Sequence, residues 1–336
     1  MLEGRAECLR AGLARESIST VIAYGTVYLC LGLPIGAFES DLVAYLEEAK
    51  SFGVVHTVPQ VMMIQRQTIL NLKHYSNSPT LLSGLAMDQE TELQKVEGHA
   101  RKMTLRDIST HRLLLAVVFG DWPTAEAMME ALEEYVDVND AFLLRTHFRR
   151  CYLGLAGFAL SRKAKTAKTR KKYLSIGKKM LKHFATDMKY GSVNAYPIVS
   201  MLEAEESPSK EKYDKAIKAC ARLGLVHHEA YMCERAAEFF DDQGDDGWSE
   251  FYAGQAILLY GEWGATGKAD RLTEDYSHVL TKSSLRESVN SSLQGRSRYS
   301  AKELDSLRTI DWESFSVGSD DIGNDYSSLF GAERQQ

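Results

Sequence analysis

A passage near the C-terminal end repeats itself at a fixed offset, and this repeat restricts the possible folds more than any other feature. Lys215-Ala216-Ile217, Cys220 and Leu223-Gly224 recur 40 positions later as Gln255-Ala256-Ile257, Tyr260 and Trp263-Gly264. Each block carries small and apolar residues at helical spacing. Each ends in a glycine, which can adopt the left-handed conformation that stops a helix. Between the blocks, Glu229 to Phe240 places Ala230, Ala237 and Phe240 on one helical face, and Asp245-Asp246-Gly247 breaks the chain. A helix–turn–helix unit of about 34–47 residues is the signature of an α-solenoid such as tetratricopeptide or HEAT arrays. Solenoids are normally surfaces and spacers rather than catalysts.

The 3.6-residue period extends over nearly the whole chain before residue 280, and no segment there shows sustained strand-like alternation. The pattern predicts fourteen helices, from 3–14 to 266–278, including 40–51, 88–100, 139–160 and 166–187. Five of the six prolines fall in inferred loops or near helix starts. The sixth, Pro123, follows a cap-like Asp121-Trp122, where its missing N–H costs little. The expectation is an all-α, tetratricopeptide-like solenoid of stacked helical hairpins over 1–279, followed by a disordered tail. Residues 280–336 hold 13 serines and few large apolar side chains, too little to offset the entropy of ordering. Within that tail, 304–315 carries Leu307, Ile310, Trp312 and Phe315 and reads as either a transient helix or a short docking helix.

Ile18 to Phe38 contains no charge and is long enough to cross a bilayer. Its serine, threonines, glycines and Pro34, with acid at both flanks and no Lys/Arg cluster, fit two core helices instead. These are expected to be joined by a Gly-Leu-Pro turn, with the second helix capped by Ser40. The N-terminus lacks the layout of a signal peptide. Five scattered cysteines with no CxxC pair suggest neither a disulfide framework nor a zinc knuckle, which points to a reducing, cytoplasmic setting. A net charge of −6 argues against a dedicated nucleic-acid binder.

Fragments that look catalytic fail on inspection. Gly264-Ala-Thr-Gly-Lys268 resembles a phosphate loop, but the motif needs a glycine where Glu262 stands and a metal-binding hydroxyl where Ala269 stands. His228-Glu229 begins like a zinc-protease helix, yet Met232 occupies the place of the second histidine. No nucleophile elbow exists, and no local arrangement would activate a cysteine. The expectation is therefore a chain without enzymatic activity, cofactor or metal.

One charged feature remains. Between Arg162 and Lys182 lie ten Lys/Arg and no acid. Its first part, Arg162, Lys163, Lys165, Lys168, Arg170, Lys171 and Lys172, forms a candidate patch for a phosphate, an anionic lipid or an acidic partner. The alternative is a solvated loop running into an exposed helix face, with Tyr173, Leu174, Ile176, Leu181 and Phe184 on the apolar side. No aromatic lies among the charges of 162–172 to stack a base.

Within this helical frame, Glu211-Lys-Tyr-Asp-Lys-Ala-Ile-Lys-Ala, Glu234-Arg-Ala-Ala-Glu-Phe and Tyr260-Gly-Glu-Trp-Gly-Ala-Thr-Gly-Lys-Ala resemble the helical-repeat region of large multidomain signalling proteins. Arg66-Gln-Thr-Ile-Leu-Asn-Leu and Val118-Phe-Gly-Asp-Trp match in the same order, so that the likeness covers roughly 20–278. Those proteins join a serine/threonine-kinase-like domain, an AAA-type ATPase, this region, a GAF sensor and often a histidine-kinase or cyclase module. The resemblance implies a non-catalytic scaffold or regulatory module. Its partners would be kinase, ATPase or sensor domains, in cis or in trans, with no nucleic acid and no membrane span. Two rival classes stay open, a stand-alone peptide-binding adaptor and an enzyme whose site is assembled from several helices.

Overall fold

In the computed structural model, residues 2–54, 58–135 and 143–280 are described, and every structural statement below concerns these. The serine-rich segment from 281 onward, with the docking helix expected at 304–315, lies outside the described residues. Fourteen α-helices follow one another among the described residues. They are α1 (Leu2–Arg10), α2 (Ala14–Leu31), α3 (Ile35–Ser51), α4 (Val58–Lys73), α5 (Gln89–Gln94), α6 (Gly98–Phe119) and α7 (Trp122–Ala131). The remainder are α8 (Leu143–Lys163), α9 (Ala167–Lys189), α10 (Ala195–Glu206), α11 (Lys210–Arg222), α12 (Val226–Asp241), α13 (Asp246–Trp263) and α14 (Thr266–Asp275). No strand forms among the described residues. An isolated bridge joins Ser83 to Asp88. No described helix is long and apolar enough to cross a membrane.

Local chemistry explains most boundaries. Side chains of Asp121, Thr166, Ser209 and Asp245 each accept a backbone N–H two or three residues into the following helix, satisfying a donor that the helix cannot. Pro123 sits in the first turn of α7 as its spacing predicted. The two recurring blocks end α11 and α13, and Gly224 and Gly264 both take positive φ, 67° and 92°. Ala216 and Ala256 are fully buried, as are Cys220 and Tyr260, so the two blocks present equivalent faces to the core. They diverge at Leu223, which is exposed, and Trp263, which is buried.

Several expected boundaries move, some of them by five residues or more. The break expected between helices at 88–100 and 104–119 falls earlier, because Lys95 ends α5 and Gly98 takes φ +54° at the entry to α6. The helix expected to start at Ser40 begins at Ile35, directly after Pro34. Ile35 and Phe38 are fully buried, so this first turn is held by packing, and Phe38 stacks on Tyr28 of α2 at 4.7 Å between ring centres.

All described residues belong to one compact unit. From α8 to α14 each helix packs on its neighbour in sequence, most extensively α8 on α9 and α12 on α13. The α8–α9 crossing is close, since a methyl group added at Gly157 would lie 2.9 Å from the backbone N of Gly177. That contact fixes the buried side of α9 along Tyr173, Gly177, Met180, Phe184 and Met188 and turns the opposite side to solvent. The chain does not run on as an open row. The final helix, α14, packs on both α13 and α4. Thr266 Oγ1 donates to the Lys73 carbonyl at 2.7 Å, and the Tyr75 hydroxyl donates to Glu274 at 2.8 Å. At the same seam Gly32 ends α2 with φ +63° and lies against the His227 ring. A Cβ there would sit 2.1 Å from Nδ1.

Candidate functional sites

The phosphate-loop look-alike occupies the closing seam. Gly264 caps α13, Ala265 precedes α14, and Gly267 is so close to α4 that an added Cβ would lie 2.4 Å from the His74 carbonyl carbon. Lys268 therefore enters the interior, where it is 1% exposed. Its ammonium donates to Glu234 at 2.6 Å and lies 5.5 Å from the ring centres of both Phe119 and Tyr260. The Tyr260 hydroxyl donates to the other Glu234 oxygen at 2.8 Å. A lysine committed to an internal carboxylate is not aimed at solvent, where a phosphate would arrive. Trp263 is also buried, 5.4 Å from the His227 ring, which in turn stacks on His228 at 3.8 Å. Both imidazoles are kept neutral. Burial pulls His228 down to about 4, and burial with the neighbouring His228 pulls His227 well below the usual range. Among the described residues no group of three His, Cys, Asp or Glu side chains could hold a metal ion.

A second buried cluster joins α10 and α12 to α8. Glu205 on α10 is fully buried and receives Arg235 Nε of α12 at 2.9 Å as well as the Arg162 guanidinium of α8. Burial alone would raise its pKa, but Arg235 and Arg162 outweigh that and hold the carboxyl below its ordinary value. Arg235 also pairs with Glu238, and the Trp122 ring lies 5.8 Å from its guanidinium. The charges balance internally and read as a clamp between helices.

A narrow cleft lies between α2, α4, α6 and α8, lined among others by Thr26, Gln65, Asp107, His111 and Arg145, with room for about one water molecule. Asp107 pairs with Arg145, and His111 shares a hydrogen bond with Thr68 Oγ1 at 3.1 Å. Burial, helped by Arg145, pushes His111 down to about 3, so it exchanges no proton near neutrality. The cleft is too small for a substrate.

The basic patch separates into two parts. Arg162 is taken up by Glu205, Lys163 lies 3.5 Å from Glu238 and 5.6 Å from the Trp122 ring, and Lys172 meets Glu133 at 3.1 Å. Lys165, Lys168, Arg170 and Lys171 are exposed and make no ion pair among the described residues. Lys178, Lys179 and Lys182, already within the ten-residue basic run, continue the patch along α9, and Lys189 extends it to the helix end. Their three- and four-residue spacing was the available signal. The partners Glu205 and Glu234, which neutralise Arg162 and Lys268, had no such signal, being 43 and 34 residues away in sequence. The chain matches no family model, no curated protein and no solved structure.

Proposed function

We propose that this chain is a non-catalytic helical scaffold or regulatory module, making protein–protein or interdomain contacts in a signalling protein of the kinase and AAA-type ATPase class. In this reading its helices form a tetratricopeptide-like stack of hairpins. The consecutive pairing of α8 to α14 and the matched ends of α11 and α13 support that arrangement. The contact of α14 with α4 bends the stack back upon its own beginning. The observation that carries the functional reading is the position of Lys268. The residue most suggestive of nucleotide chemistry is an interior ion-pair partner of Glu234, and the sequence that resembles a phosphate loop serves to join helices. The five free cysteines suit a reducing, cytoplasmic setting.

The test is calorimetric titration of the purified chain with isolated kinase-like, AAA-type ATPase and sensor domains from such signalling proteins. At least one domain is expected to bind with Kd below about 10 μM, equivalent to roughly −7 kcal/mol. Absence of binding to all three by a folded chain refutes the proposal, as does turnover of ATP by the chain alone.

A further inference from the structure

The solvent side of α9 is a stripe of lysines. At about 100° per residue, Lys168, Lys171, Lys172, Lys178, Lys179, Lys182 and Lys189 fall within an arc of about 120° opposite the buried face. Only Ser175 and Thr186 interrupt this arc, and both are exposed. The row is straight and about 32 Å long at 1.5 Å per residue. Among its cations, Lys172 meets Glu133 and Lys178 meets Glu206 at 3.6 Å. Both pairs are solvent-exposed and worth about 0–1 kcal/mol, so they do not remove these charges from the surface. Asp187, the one acid on α9, lies off the stripe and pairs with His147 at 3.1 Å.

An apolar tip continues this surface. Directly after Lys189, Tyr190 is 78% exposed, and Val193 in the following turn is 59% exposed. Tyr190 falls within the same arc as the lysines. An aromatic and an aliphatic side chain presented beside a row of ammonium groups match the headgroup region of a bilayer, where tyrosine rings settle and anionic lipids attract lysine. A nucleic acid would call for aromatic rings within the charged row, and the arc itself contains none before its C-terminal end.

We propose that the lysine face of α9, with Tyr190 and Val193 at its end, is a docking surface for anionic phospholipid bilayers. The chain lies on the bilayer with α9 parallel to it, and no described helix spans it. The attraction is electrostatic over the stripe and apolar at the tip.

The experiment is flotation of the full chain with vesicles of phosphatidylcholine, alone or with roughly 30 mol % phosphatidylserine. The chain should float with the anionic vesicles only, and less so as salt rises. Neutralising three exposed lysines in K171Q/K182Q/K189Q should lower partitioning about a hundredfold, at roughly fivefold per lysine. A second variant, Y190S/V193S, leaves the charge intact and should lower partitioning severalfold through the tip alone. Circular dichroism of both variants should match the parent, because the substituted side chains are solvent-exposed. Flotation equal on neutral and anionic vesicles, or none on either, overturns the proposal. So does anionic binding unchanged by the triple variant. Stripe-dependent binding of RNA or of an acidic peptide without flotation likewise overturns it and assigns the face to that partner.

Discussion

Lys268→Met is the most direct probe of whether the phosphate-loop look-alike holds the fold together or holds a ligand. Methionine keeps the aliphatic stem packed near Phe119 and Tyr260 and removes only the charge. Coulomb's law at an effective dielectric constant near 20 gives a gross attraction of about 6 kcal/mol for the 2.6 Å contact with Glu234. Desolvation of both groups cancels much of this, and breaking such a pair on one side typically costs about 3–5 kcal/mol. The Glu234 side chain is 16% exposed and keeps the Tyr260 hydroxyl as a donor, which places the expected loss at the low end, about 3 kcal/mol. In urea unfolding followed by far-UV circular dichroism, with a slope near 3 kcal/mol per molar, the midpoint should fall by about 1 M. Adding Glu234→Gln removes the stranded carboxylate. The double variant should recover about 2 kcal/mol, a coupling that only contacting groups show. Calorimetry with ATP should find no binding for either the parent or the variant. A midpoint within about 0.2 M of the parent would refute the structural role of the lysine. Micromolar ATP affinity lost in Lys268→Met would refute the scaffold reading as well.

Acid should unfold the chain through its interior histidines. His111 and His228, at about 3 and about 4 in the fold, stay neutral while the unfolded chain takes up protons below about 6.5. Stability is therefore complete above that value and is lost as pH falls, by about 2 kcal/mol per histidine at pH 5, with His227 acting in the same direction. The carboxyl of Glu205, held low, adds its loss only below the ordinary glutamate range. A urea midpoint unchanged from pH 7 to 5 contradicts this. Gly267→Ala would gain about 1 kcal/mol in an isolated helix, but here should destabilise, since the new methyl meets the His74 backbone, just past α4, at 2.4 Å; thermal melting decides the sign. Trp263→Ala should cost about 3–5 kcal/mol, and an unchanged melting temperature would show that the indole is not a core group.

What the sequence revealed follows from what repeats in it. The helical period, the terminating glycines at 224 and 264 and the Asp121-Trp122-Pro123 start are local signals, and each corresponds to a structural boundary. Glu262 and Ala269 set Lys268 apart from the working phosphate-loop motif, but the partner it takes in the fold, Glu234, lies on another helix. No spacing rule connects the two. Gly267 carried no local signal, because its necessity comes from the His74 backbone, distant in the chain. The break between α5 and α6 is expected at 101–103 but falls at Lys95–Glu97, because the helical period continues across those residues while Gly98 marks the true break. The basic patch reads as a run in sequence, whereas in space three of its members are bound to acids and Lys168 and Lys171 align with the further lysines of α9.

The seam between α14 and α4 also bears on how this chain can fold and change length. The groups it joins lie 193 and 199 residues apart, and closing a loop of that size costs about 5 kcal/mol of chain entropy before any contact returns it. Growth outward from a nucleus, helix by helix, cannot make this contact early. The seam should form in a late step with its own slow relaxation. Arrays whose units touch only their neighbours can gain or lose a unit at little cost. Here, removing one helical pair would carry Gly267 away from His74 and leave Gly32 without the His227 ring it accommodates. The number of helices between the two ends is thus set by the gap they must close.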